Sequence, residues 1–133
     1  MFIISTYVAK SEIEGVGVFT AEDIKKGQPI SKFEPEFDRL IPVKTYENAP
    51  AHLKSFLDRY SFPHPRLPDC LVFEVDNSRF MNHSAAANTD YSDFESGVAL
   101  RDIKAGEELT CDYKDFFADY ELLSPEIDLR RNP

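Results

Sequence analysis

The chain has 133 residues, 42% of them hydrophobic, with 6 Tyr, 11 Phe and no Trp, which suits one globular domain with its own core and excludes a disordered chain. The formal net charge is −9, and from Asn88 onward 12 acidic side chains face 5 basic ones; this disfavours a nucleic-acid ligand, favours a Lys- and Arg-rich protein or peptide partner, and equally serves plain solubility. No apolar run approaches the roughly 20 residues of a membrane span, and Cys70 and Cys111 make neither a disulfide framework nor a zinc spacing.

In chain order, residues 2–8 alternate like a strand. EGVGVF (14–19) reads as a Gly-bearing turn into a second strand, and PISKFEPEF (29–37) as a strand broken at Pro35. Asn48 stands where it would cap a helix from about Ala49 to Tyr60, with Leu53, Phe56, Leu57 and Tyr60 on one apolar stripe. FPHPRLP (62–68) is a Pro-rich loop, CLVFEV (70–75) a buried strand, and GVALRDI (97–103) and EELTCDY (107–113) two more strands. One domain over 1–120 and a fraying tail over 121–133 are expected. The opening MFIISTYVAK lacks a basic leader and a cleavage site. With the two cysteines this points to an intracellular protein, cytoplasmic or nuclear, with no membrane partner. AEDIKKGQPI (21–30) echoes LRDIKAGEEL (100–109), each placing Asp-Ile-Lys before a Gly turn and a strand.

Three short stretches carry candidate chemistry. Gly15 and Gly17 lack Cβ atoms, which permits close approach of a ligand, although a simple turn uses glycine in the same way. The absence of a third glycine, and the β-prone run that follows, argue against a dinucleotide fingerprint. RFMNHSAAAN (79–88) sets polar groups beside apolar ones, so it is either an exposed loop or a site. His83 reads as a structural histidine as readily as a ligand, because His52, His64 and the cysteines form no recognisable metal cluster. In GEELTCDY (106–113), Tyr113 ends a strand, where a hydroxyl can orient a reacting group or merely keep a wet tip.

Together, in this order and spacing, the Gly-x-Gly turn, Arg-Phe-x-Asn-His-Ser and Gly-Glu-Glu-Leu-Thr-x-Asp-Tyr resemble the SET-domain protein lysine methyltransferases over roughly residues 10–117. The resemblance implies a mostly β fold, the SET-domain β-clip of several small sheets, with a knot-like C-terminal crossing and one or two short helices. It implies S-adenosylmethionine as cofactor, held by the Gly15, Val16, Gly17 and Val18 turn and by Arg79, Asn82 and His83; Phe116 and Phe117 are candidates to cover the adenine or the lysine stem, and read equally as ordinary core. It puts Tyr113 where the methyl group is transferred, and Phe33 and Cys111 beside it in the substrate channel; Tyr60, just after the helix stripe, is a candidate for a second pocket tyrosine and reads as readily as packing. Asn88 matches the Asn that closes the family's Asn-His-Ser-Cys-x-Pro-Asn run.

The departures are as specific. Ala85 and Ala87 stand where the family has Cys and Pro, and no cysteine follows Cys111, so no zinc is expected. Phe33 stands where members often have Tyr. Cys111 stands where many have Phe or Tyr, leaving room that hints at higher methylation states. Phe33, Ala85 and Cys111 also motivate an alternative, a catalytically weak or inactive SET-fold module that binds a protein partner. A lone core of this size would gain a more complete substrate groove as a homodimer.

Overall fold

The two Asp-Ile-Lys turns pair with each other. In this computed structural model, which describes residues 1–116, Ile24 and Ile103 form an antiparallel bridge, each N–H donating to the other's carbonyl at 2.8 and 2.9 Å. The Asp102 carboxylate accepts from the Lys26 N–H, and the Asp23 carboxylate reciprocates with the Ala105 N–H. Gly27 (φ +81°) and Gly106 (φ +91°) supply the left-handed turns behind them. Both isoleucines are 1% exposed, so each contributes about 1.5–3 kcal/mol of burial to this junction. The echo seen in the sequence is thus a pair of interlocking turns.

Among the described residues, ten short strands form three small sheets. They are β1 (Thr6–Lys10), β2 (Val16–Thr20), β3 (Pro29–Lys32), β4 (Arg39–Pro42), β5 (Ser61–Pro63), β6 (Cys70–Phe73), β7 (Asn82–His83), β8 (Thr89–Asp90), β9 (Ser96–Ala99) and β10 (Glu108–Cys111). The sheet orders are β1-β2-β10-β7, β3-β9-β8 and β4-β6-β5. The first matters most for function. β10 lies between β2, to which it is antiparallel, and β7, to which it is parallel through Thr110–Asn82 and Cys111–His83. A segment 20 to 30 residues earlier in the chain is therefore laid directly alongside the last strand. The core around this sheet includes Val18, Ile30, Met81, Tyr91, Leu109, Cys111 and Tyr113.

Asn88 fastens the crossing from the other side. It is 4% exposed. Its amide donates to the Glu108 carbonyl at 2.8 Å, and its side-chain oxygen accepts from the Thr110 N–H at 2.9 Å. Between these anchors Ala85 and Ala86 are exposed, so the alanines of RFMNHSAAAN form a surface loop while its polar ends are tied down.

Some local expectations are corrected. Two helices occur among the described residues, α1 (Val43–Glu47) and α2 (Ala51–Tyr60). Pro50, not Asn48, precedes α2; Asn48 ends α1 and its amide donates back to the Lys44 carbonyl. Proline's fixed φ suits a helix start, and Asn48 finds its acceptor in the preceding turn. Of the expected stripe, Leu57 is buried, whereas Leu53 and Phe56 are about 40% exposed. Ser61–Pro63, expected partly as loop, is the edge strand β5, where prolines are tolerated. The expected tail over 121–133, together with Phe117, lies outside the described residues.

Candidate functional site

The site is built around the Gly15–Gly17 turn, β7 and the end of β10. Gly15 takes φ +47°, with open space where a Cβ would sit. Gly17 has no unusual φ but no room: a Cβ there would lie 2.1 Å from Glu108 Oε1 and 3.2 Å from Asn82 Nδ2. The Glu108 carboxylate fills that space because it has partners there. The Ser11 hydroxyl reaches its two oxygens at 2.9 Å, and the Asn82 amide donates at 3.0 Å. The Asn82 amide group also lies 3.1 Å from the Glu14 carbonyl and 3.0 Å from the Val16 carbonyl, its two hydrogens being shared among these acceptors. A carboxylate with charge-assisted partners on two segments, at Ser11 and Asn82, thus locks the glycine turn against β10 and β7. Gly17→Ala is expected to cost about 1–3 kcal/mol by overpacking and displacement of Glu108, read as a lower urea midpoint. Gly15→Ala, which meets backbone strain alone, is expected to cost about 1–2 kcal/mol; a negligible cost at Gly17 would show that the Glu108 lock contributes little.

Next along β7, His83 holds the backbone of Tyr113. The Tyr113 N–H donates to His83 Nδ1 at 3.0 Å, and the two rings lie 5.1 Å apart. Asp112 Oδ1 is 3.7 Å from the same nitrogen. Tyr113 is 8% exposed, and its hydroxyl donates to the Met81 carbonyl at 2.8 Å. The two residues of the Asn-His pair thus have separate tasks: Asn82 fixes the turn and His83 fixes the tyrosine.

Two open clefts meet at Tyr113. The larger, about 470 Å³, is bounded by Tyr60, Phe62, Glu74, Tyr91, Cys111 and Phe116. The smaller, about 370 Å³, is bounded by Glu14, Val16, Phe80 and Asn82. Arg59, Tyr60, Arg79, Met81 and Tyr113 belong to both. The walls are largely aromatic: Tyr60 packs on Phe80 at 5.5 Å, and Phe116 packs on Phe62 at 4.8 Å and Tyr91 at 5.4 Å. The Arg79 guanidinium lies 4.8 Å from the Phe80 ring centre.

The structure brings most of the expected residues together and separates some. Val16, Arg79 and Asn82 border the smaller cleft, and Tyr60, Cys111 and Tyr113 the larger. Phe116, expected on the cofactor side or over the lysine stem, borders the larger cleft. Gly15, Gly17 and His83, expected at the cofactor, border neither cleft. The Val18 side chain is fully buried in the core. Phe33 packs on Phe94 at 5.9 Å and borders neither cleft. Residues that the motifs did not single out complete the site. Ser11 and Glu108 form the lock. Tyr91, 2% exposed, supplies a third tyrosine to the larger cleft beside Tyr60 and Tyr113, and Glu74 supplies a carboxylate. Burial, the largest influence, raises the Glu74 carboxyl to about 7, with the Met1 ammonium 3.9 Å away opposing the rise. Burial likewise pushes the Tyr91 hydroxyl well above its usual range.

The SET domain family model matches residues 15–114. The chain belongs to the SET-domain family. This SET domain is 32% identical over 120 residues to a Plasmodium falciparum protein provisionally named a histone-lysine N-methyltransferase, covering 81% of this chain and 2% of that protein. It is 31% identical over 125 residues to the Drosophila melanogaster histone-lysine N-methyltransferase trr, covering 83% of this chain and 5% of that one. Among solved structures it resembles the Chaetomium thermophilum polycomb repressive complex 2 in an autoinhibited conformation bound to S-adenosylmethionine, with a TM-score of 0.62, 26% identity, and coverage of 86% of this chain and 16% of that one. The SET domain described here thus spans a small fraction of each of these proteins.

Proposed function

We propose that this SET domain transfers a methyl group from S-adenosylmethionine to the ε-amine of lysine in a basic protein or peptide. The observation that carries this reading is the meeting of two clefts at one buried tyrosine, Tyr113, with the glycine turn bordering one and an aromatic channel the other.

The residues present fit the cofactor. Arg79 Nε is buried and has no hydrogen-bond partner among the described residues, so a donor stands ready for an acceptor such as a carboxylate. Val16 and Phe80 supply apolar surface in the same cleft, as an adenosyl group requires. When bound, the cofactor supplies a methyl group made electrophilic by its sulfonium. Everything else falls to the protein. A free lysine titrates near 10.4, so presenting it as a neutral amine at pH 7 costs about 4–5 kcal/mol. The larger cleft lowers that cost by desolvation, since Tyr60, Phe62, Tyr91 and Phe116 exclude water from the ammonium. Tyr113 then holds the nitrogen in line. Its hydroxyl is held in place by donating to the Met81 carbonyl, which fixes the oxygen at the junction where the amine would be presented.

Purified protein incubated with S-adenosylmethionine and basic peptides is expected to add mass in steps of one methyl group. Cofactor binding without transfer to any protein of a lysate would favour the binding-module reading instead. The acidic surplus supports a basic substrate, and its contribution should weaken as salt is raised.

A further inference from the structure

We propose that Glu74 is the acceptor that receives the substrate amine in the larger cleft, and that it restricts the reaction to lysines that still carry an N–H to give. The proposal rests on the methyl-transfer reading above and adds a residue that no motif marked.

Glu74 directly follows β6, and its side chain is 14% exposed. It borders the same cleft as Tyr91, Cys111 and Tyr113. Its ion pair, with the Met1 amine, is loose at 3.9 Å; that amine makes closer contacts with the Lys32 carbonyl at 2.8 Å and Asp38 Oδ2 at 3.2 Å. The Ser78 hydroxyl lies within hydrogen-bond reach of Glu74 and eases its burial, but it also donates to Asp76. A carboxylate in this position has shed most of its water without gaining a strong partner, which is costly unless a cation supplies one. The Tyr91 hydroxyl stands in the same condition. It is buried and makes no hydrogen bond of standard geometry, although the Ser31 hydroxyl is close enough to influence it. The two arginines that border the cleft are engaged with aromatic rings: the Arg79 guanidinium is stacked over Phe80, with Tyr60 and Phe73 within 6.0 Å, and Arg59 lies 5.6 Å from the Tyr60 ring and donates its Nε–H to the Tyr60 hydroxyl. A carboxylate and an unsatisfied hydroxyl, walled by aromatic rings, form a receptor for an alkylammonium.

The selectivity follows from valence. A reactive amine must point its lone pair at the methyl donor and its N–H groups elsewhere. Unmodified and monomethyl lysine, when neutral, still have an N–H for Glu74. Neutral dimethyl-lysine has none. Its ammonium form has one, but giving that N–H to Glu74 leaves no lone pair for attack. The small Cys111 leaves space for a third methyl group, while Glu74 removes the orientation that adding it requires.

The test compares the full chain with Glu74→Leu and Glu74→Gln on peptides carrying unmodified, monomethyl or dimethyl lysine at a site the wild-type protein modifies. In Glu74→Leu, kcat/KM on unmodified lysine should fall about tenfold or more. The dimethyl peptide should be unaffected or improved, with trimethyl product forming. Glu74→Gln, which keeps a neutral acceptor, should fall between. An equal loss on all three peptides, or no loss, overturns the proposal. Calorimetric titration of the cofactor-free proteins with n-butylammonium chloride gives an independent readout: weaker binding to Glu74→Leu supports the amine site, and equal binding overturns it. If the wild-type protein methylates nothing while butylammonium binding still depends on Glu74, the methyl-transfer reading fails and the amine receptor stands.

Discussion

Tyr113→Phe is expected to lower the rate of methyl transfer about a hundredfold while leaving cofactor affinity nearly unchanged. The substitution removes one oxygen and keeps the ring. The ring's packing in the core and its 5.1 Å contact with His83 persist, and so does the backbone N–H bond to His83 Nδ1. What is lost is the hydroxyl that donates to the Met81 carbonyl and that the proposed mechanism uses to orient the amine. The stability cost is one buried hydrogen bond, about 1 kcal/mol, partly because the Met81 carbonyl loses its donor. The kinetic loss should therefore lie in kcat, measured at saturating peptide and cofactor, and calorimetry should show a cofactor affinity within about twofold of wild type. Retention of more than half the wild-type rate would remove Tyr113 from the reaction centre and with it the meaning of the two-cleft junction.

Asn88→Ala should unfold the site rather than disable its chemistry. Asn88 is nearly inaccessible, and its side chain is the partner of two backbone groups on β10, the Glu108 carbonyl and the Thr110 N–H. Alanine leaves both groups buried without partners and opens a small void. Each orphaned group costs about 1–3 kcal/mol, giving a total of about 2–6 kcal/mol, or a fall in Tm of roughly 10 °C or more for a domain of this size. The position of β10 beside β7 depends on few ladder pairs, Thr110–Asn82 and Cys111–His83, so its alignment relies on this clamp. Activity should disappear with the folded fraction, at the same temperature. Asn88→Asp keeps the acceptor for Thr110 but not the donor for Glu108, and should lie between. A Tm within 2–3 °C of wild type for Asn88→Ala would show that water replaces the amide and that the clamp is dispensable.

The amine side of the site shows where local reasoning stops. Tyr60 lies on a helical stripe and was expected in the channel; the helix delivers it there, packed on Phe56 at 5.0 Å and Phe80 at 5.5 Å. Phe33 was expected beside it from the resemblance, yet the strand β3 carries it to Phe94. The cleft draws a third tyrosine from Tyr91, one residue past β8, in a stretch without helical or strand periodicity long enough to read. Glu74 was hidden for a different reason. At the end of an apolar run its charge looks like the solvated end of a strand, and the packing of that strand turns it inward.

By itself, the sequence determined the features that depend on neighbours a few residues away. The β2, β6 and β10 strands followed from short apolar runs, and the turns at Gly27 and Gly106 from the one residue that takes positive φ without strain. The three motifs were legible as a set because their order and spacing are specific, even though each alone had an ordinary explanation. Tertiary structure alone decided which side chains become partners. Ser11 meets Glu108 across 97 positions of chain, and Phe2 donates its N–H to Asp76 across 74. Such pairs carry no periodicity, because they are fixed by strand register and by the parallel laying of β10 against β7. A carboxylate's neighbours, its access to water and hence its protonation are properties of that three-dimensional arrangement, and no local pattern encodes them.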